Sequence, residues 1–137
     1  MKHINFPKDF IWGTASSSYQ TEGAYNRDGK GASIWDTFCR KDGAIAEGSD
    51  GTIACGYYDK YEEDIRLMAE AGIRAYRFSI SWPRIFPNGD DTAVNAAGLA
   101  FYDRVTDCCI RYGIQPHITL FHWDLPQSLS DRGGWLN

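Results

Sequence analysis

At 137 residues, with a net charge of −4 from 14 basic and 18 acidic side chains, the chain has the size of one compact domain and no basic footprint for nucleic acid. No apolar run nears the ~18 residues a membrane-spanning helix needs, and the start, Met1 to Pro7, lacks the apolar core of a secretion signal, so a cytoplasmic location is expected. Hydrophobic residues, at 43%, lie a little below the globular norm while aromatics reach 15%, which leaves two readings of the rings: core packing, or platforms stacked against the apolar face of a sugar.

In chain order, short apolar strands alternate with longer helical patterns, and this argues for βαβ units and a parallel sheet. The first strand is expected over Phe10 to Ala15, followed by a polar loop from Ser16 to Gly31. Ser33 reads as the N-cap of a short helix over Ile34 to Phe38. The Gly- and Asp-rich stretch from Asp42 to Thr52 reads as an exposed loop. A helix is expected from Tyr57 to Ala71, with Tyr58, Tyr61, Ile65 and Met68 as its apolar stripe and Gly72 at its end. The second strand follows at Ala75 to Ile80, then a loop from Ser81 to Asp91 carrying Pro83 and Pro87. The next helix spans Asn95 to Tyr112, with Leu99, Tyr102, Val105 and Cys109 inward and Gly113 as its stop. The third strand is expected over Gln115 to His122. The cysteines, Cys39, Cys55, Cys108 and Cys109, form no C-x-x-C pair and read as reduced structural thiols, with no metal or organic cofactor implied.

In α/β folds the working side chains sit at the carboxyl ends of parallel strands. After the first strand come Ser16, Ser17, Ser18, Tyr19, Gln20, Thr21 and Glu22; after the second, Ser81 and Trp82; after the third, His122, Trp123 and Asp124. Amides, imidazoles and carboxylates make directional hydrogen bonds to hydroxyls, and indole offers a flat platform, so the set suits a polyhydroxy ligand. Plainer readings stand beside this one. Arg77, in an expected interior strand, needs a carboxylate nearby, and that partner is structural or functional. His122 also fits a satisfied core histidine, Trp123 packing, and Glu22 a local cap or ion pair.

Several segments then resemble glycoside hydrolase family 1. They are Phe10 to Ala24 (Phe-Ile-Trp-Gly-Thr-Ala-Ser-Ser-Ser-Tyr-Gln-Thr-Glu-Gly-Ala), Ser33 to Phe38 (Ser-Ile-Trp-Asp-Thr-Phe), Tyr76 to Ile85 (Tyr-Arg-Phe-Ser-Ile-Ser-Trp-Pro-Arg-Ile), Asn95 to Leu99, Thr119 to Pro126 (Thr-Leu-Phe-His-Trp-Asp-Leu-Pro) and Gly133 to Asn137. The likeness covers nearly the whole chain. It implies an α/β fold, a partial TIM (β/α)8 barrel supplying about the first three β/α units, within a single catalytic barrel of which residues 1–137 form the N-terminal part. It also implies a retaining β-glycosidase acting on β-glucosides such as cellobiose. By position, Gln20 is similar to the family residue that hydrogen-bonds hydroxyls of the sugar being cleaved. His122 and Trp123 match residues lining the same subsite, and Arg77 matches the arginine that holds the nucleophilic glutamate. Relatives acting on 6-phospho sugars tend to carry Asn where Tyr19 stands and Tyr where Trp123 stands, so these two favour a non-phosphorylated glycoside. The sequence departs from the family around Ala54 to Tyr61, where many relatives carry Asp at position 56 and His at 57, which puts local helix capping in question.

Retaining hydrolysis needs two carboxylates about 5–5.5 Å apart, one to protonate the leaving oxygen and one to attack the anomeric carbon. The family places them in Asn-Glu-Pro and Glu-Asn-Gly motifs, and neither tripeptide occurs here. The resemblance gives neither Glu22 nor Asp124 such a role. No catalytic residue is therefore expected within the chain, and the isolated chain is expected to be inactive, with two open sheet edges that invite aggregation. Two other readings remain: a non-catalytic sugar-binding or interaction module using Gln20, His122 and Trp123, and a barrel completed by association.

Overall fold

The computed structural model describes residues 5–90 and 92–137; the first four residues of the chain's start, and Asp91 at the end of the expected 81–91 loop, lie outside the described residues. In chain order the elements are β1 (Gly13–Ala15), α1 (Ser18–Thr21), α2 (Ile34–Phe38), α3 (Tyr57–Glu70), β2 (Ala75–Ser79), α4 (Trp82–Ile85), α5 (Ala96–Arg111), β3 (Gln115–Thr119), α6 (Gln127–Asp131) and a closing 3-10 turn (Gly134–Leu136). The strands form one parallel sheet in the order β1-β2-β3, with Ala15 beside Arg77 and Arg77 beside His117. The expected α/β class with a parallel sheet is therefore observed. No helix among the described residues is long and apolar enough to cross a membrane.

The core follows from the pleat. Side chains alternate across a strand, so Tyr76 and Phe78 of β2 point together to one face. There they pack with Ile65 of α3, with Phe101, Val105, Cys108 and Cys109 of α5, and with Ile114. Tyr58 stacks on Phe101 with ring centroids 4.3 Å apart. The expected stripe of α3 is inward, with Tyr58 and Ile65 buried and Tyr61 and Met68 packed against the same cluster. On α5, Tyr102, Val105 and Cys109 are buried as expected and only Leu99 departs. Leu99 is 45% exposed and Phe101 is fully buried, because the inward face is centred on Gly98, Phe101, Val105 and Cys108, one step around the helix. Gly98 is buried at this contact, where a Cβ would meet the Arg84 carbonyl oxygen at 2.1 Å, so only glycine lets α5 approach α4 so closely.

Helix ends are set locally. Ser33 caps α2 as expected: its Oγ accepts from the Asp36 N–H at 3.2 Å while the Asp36 carboxylate accepts from the Ser33 N–H at 2.8 Å, a reciprocal capping box. Gly72 and Gly113 follow α3 and α5 with φ of 83° and 69°, the left-handed conformation that closes a helix without a Cβ penalty. Gly56 precedes α3, also left-handed and without a side-chain cap.

Both outer strands are shorter than expected. Phe10, Ile11 and Trp12 are exposed, and the rings of Phe10 and Trp12 gather with Phe6 instead of entering the ladder. Strand β3 ends at Thr119, leaving Leu120 exposed. Each of these strands has a neighbour on one side only, so fewer ladder bonds hold its ends. The expected 16–31 and 81–91 loops contain α1 and α4, and α6 and the 3-10 turn follow β3. These turns of three to five residues are too short to show a helical period.

Candidate functional site

The segments leaving the three strands meet on one rim. Ser16 N–H donates to the Arg77 carbonyl at 2.9 Å, extending the pairing of β1 with β2 before the chain turns into α1. On α1, the Ser17 hydroxyl donates to Gln20 Oε1 at 2.8 Å, fixing the amide so that its NH2 group faces outward. Beyond β3, Trp123 takes a φ of 68° and projects 70% exposed, packed against little of the chain. A tryptophan held in this conformation costs of order 1–3 kcal/mol, which the surrounding structure must offset. His122 is half-buried, and its Nδ1 is buried without a hydrogen-bond partner among the described residues.

Gln20, His122 and Trp123 wall a single cleft of about 380 Å³, completed by Tyr19, Trp35 and Asp50 among others. An amide, an imidazole and two indoles around an open cleft are the donors, acceptors and platforms that a sugar ring needs. The part of the wall that sequence reasoning missed, Trp35 and the 45–54 loop, had no periodicity to reveal it. Trp35 lies inside the Ser33 to Phe38 motif, the one signal available for it.

Arg77 does not line this cleft. It is exposed on the opposite sheet face from the core, beside His117, and makes no ion pair among the described residues. Its strand β2 is the interior one, as expected, and its carboxylate partner, which the resemblance places outside these residues, is not among the described ones.

The two acidic residues on the rim are engaged inward. Glu22 is 3% exposed and accepts from Arg84 Nε at 2.9 Å and from the Tyr102 hydroxyl at 2.5 Å. Arg84 is itself fully buried and lies 4.3 Å from the Tyr58 ring centroid. Burial raises the Glu22 carboxyl, and the Arg84 charge opposes that rise. Glu22 is thus an ion-pair residue, but its partner is distant in the chain, so neither a local cap nor a local pair describes it. Asp124 is 1% exposed and accepts from the Ser18 hydroxyl at 2.8 Å. Ser18 N–H in turn donates to Ser79 Oγ at 2.8 Å, and the Ser79 hydroxyl lies 3.2 Å from that of Ser18. One hydroxyl–carboxylate chain thus joins the ends of all three strands.

Burial raises the Asp124 carboxyl above its ordinary value, with the Ser18 bond pulling the other way. A group that binds its proton more tightly when folded adds stability below the unfolded pKa and loses it as pH rises through the folded pKa. The contribution of Asp124 to stability is therefore expected to decline as pH rises from about 4 upward. Asp124→Asn is expected to remove that part of the slope, checked by thermal midpoints of both forms across this range; identical slopes would contradict it.

The profile of Glycosyl hydrolase family 1 matches residues 2–137. Beta-glucosidase A of Acetivibrio thermocellus is 60% identical over the whole chain, which spans 30% of that protein. Aryl-phospho-beta-D-glucosidase BglC of Bacillus subtilis is 53% identical over 95% of the chain and 27% of its own length. Among solved structures, the beta-glucosidase from Thermotoga maritima in complex with azafagomine superposes with a TM-score of 0.93 at 48% identity, covering 96% of this chain and 30% of that one. The chain spans about 30% of the length of the relatives it matches.

Proposed function

The chain belongs to glycosyl hydrolase family 1, and we propose that it is the N-terminal part of a retaining β-glycosidase that removes terminal β-D-glucosyl residues from β-glucosides such as cellobiose. The observation that carries this reading is the convergence of Gln20, His122 and Trp123 on one cleft at the carboxyl ends of a parallel sheet. In this reading the three strands are the first of a TIM barrel, whose inner wall includes the open face that carries Arg77. Gln20 and His122 hydrogen-bond the sugar hydroxyls, and Trp123 supplies the platform beneath the ring. Arg77 holds the nucleophilic carboxylate, and both catalytic glutamates lie beyond residue 137. The reaction needs no cofactor, since proton donor and nucleophile are both carboxyl groups. A cytoplasmic location belongs to the same proposal.

Tyr19 and Trp123 favour a free glucoside over a 6-phosphoglucoside. Relatives named for both substrate types share about half or more of the chain's residues, so total identity does not separate them. The test is hydrolysis of p-nitrophenyl β-D-glucoside and of its 6-phosphate by the complete protein and by residues 1–137 alone. The complete protein is expected to cleave the free glucoside faster, and the isolated chain neither. Turnover by a homogeneous preparation of the isolated chain, abolished by Gln20→Ala, would show that the catalytic groups lie within it.

A further inference from the structure

We propose that Asp124, Ser18 and Ser79 form a positioning network that sets the spacing between the Gln20 wall and the His122–Trp123 wall of the cleft, an inference that rests on reading this cleft as the sugar site. The two walls come from segments more than 100 residues apart in sequence, Ser18 and Asp124 being 106 positions apart. Among the described residues, the Ser18–Asp124 bond is the only direct hydrogen bond between the 16–22 turn and residues 122–124. Its two ends sit close to the side chains that face the cleft: Ser18 is two residues before Gln20, and Asp124 directly follows Trp123.

The other ties of the β3 exit segment run elsewhere. Ile34 N–H donates to the Leu125 carbonyl and Gln127 N–H to that of Ala32, both at 2.8 Å, anchoring the segment to the α2 side of the rim. The α1 turn is held to the sheet by Ser79, whose Oγ accepts from Ser18 N–H. Without the Ser18 hydroxyl, each wall keeps its own anchor and loses its reference to the other. All three members are buried, where a hydrogen bond is stronger and a lost one is not replaced by water. The bond at Ser18 also holds the residue adjoining Trp123, whose left-handed backbone is the conformation most in need of an external hold.

The test uses the complete protein. Ser18→Ala is expected to raise KM for p-nitrophenyl β-D-glucoside by roughly ten-fold with kcat little changed. Asp124→Asn, which keeps an acceptor oxygen for the Ser18 hydroxyl, is expected to stay close to the parent. In a Gln20→Ala background, Ser18→Ala is expected to raise KM by less than it does in the parent, because the spacing it sets is between Gln20 and the opposite wall. A KM that multiplies independently in the double variant, or a lower melting temperature with KM unchanged, would reduce the network to a structural one. A crystal structure of the Ser18→Ala variant needs no turnover: Gln20 or Trp123 is expected to shift, and unmoved side chains overturn the proposal. A complete parent protein without β-glucosidase activity would sink the functional reading instead, and that crystal structure would still decide the positioning role.

Discussion

Replacing Arg84 alone with methionine is expected to destabilise the folded chain by about 3–5 kcal/mol. The guanidinium is fully buried, donates to Glu22 at 2.9 Å and reaches the carbonyls of Gly23 and Ala24 at 3.3 and 3.4 Å. Methionine fills much of the stem's volume but leaves the Glu22 carboxylate buried, with the Tyr102 hydroxyl as its remaining partner. That uncompensated charge dominates the loss, against a total stability of about 5–15 kcal/mol for a typical domain. The double variant Arg84→Met with Glu22→Gln is expected to recover a large part of it, since a neutral amide does not require a countercharge. Urea unfolding followed by circular dichroism measures both. A single variant as stable as the parent would mean that Glu22 is neutral in the fold and that the pair is not an ion pair.

The second large effect is expected at Arg77 in the complete protein. There Arg77→Met is expected to lower kcat/KM for an aryl β-glucoside by about 10²–10³-fold, the scale seen when one preorganised electrostatic contact at a reacting group is removed. The arginine stands exposed on an uncovered sheet face with no ion pair among the described residues, so its charge is free for a partner outside the chain. A guanidinium beside a carboxylate holds that carboxyl's pKa down by about 1–3 units. Its removal is therefore expected to move the acid limb of the pH–rate profile upward. A variant that loses rate with an unmoved acid limb would place Arg77 in packing or sugar contact instead of beside the nucleophile.

The architecture was legible where the pattern was long. The helices α3 and α5 were read within about a residue at each end, because they carry repeated apolar positions and glycine stops. Short α1, α4 and α6 have no period to read, and the two open edges expected from the sequence leave the extent of fraying at the ends of the outer strands undefined there. Leu99 was placed inward and is exposed because α5 is rotated toward Phe101, a rotation fixed by the close Gly98–Arg84 approach. At the site, the positions of Gln20, His122 and Trp123 followed from strand ends and motifs. The Ser18–Asp124 bond did not, since nothing in either local sequence says that two residues 106 positions apart will meet.

The sheet order has a consequence for synthesis. Because β1, β2 and β3 lie side by side in the order in which they are made, each strand emerging from a ribosome finds its partner already present. The rim is stitched only when Asp124 emerges, so the 16–22 turn waits through most of the chain's translation for its distant partner. Chains grow at about 5–20 residues per second and fold from the N-terminus onward. In a longer polypeptide, the edge of β3, with Ile118 and Leu120 bare, would then be the growing front on which the next strand assembles. A translational pause just after this segment would hold that front open longest, making it the stage at which a nascent chain most needs a chaperone.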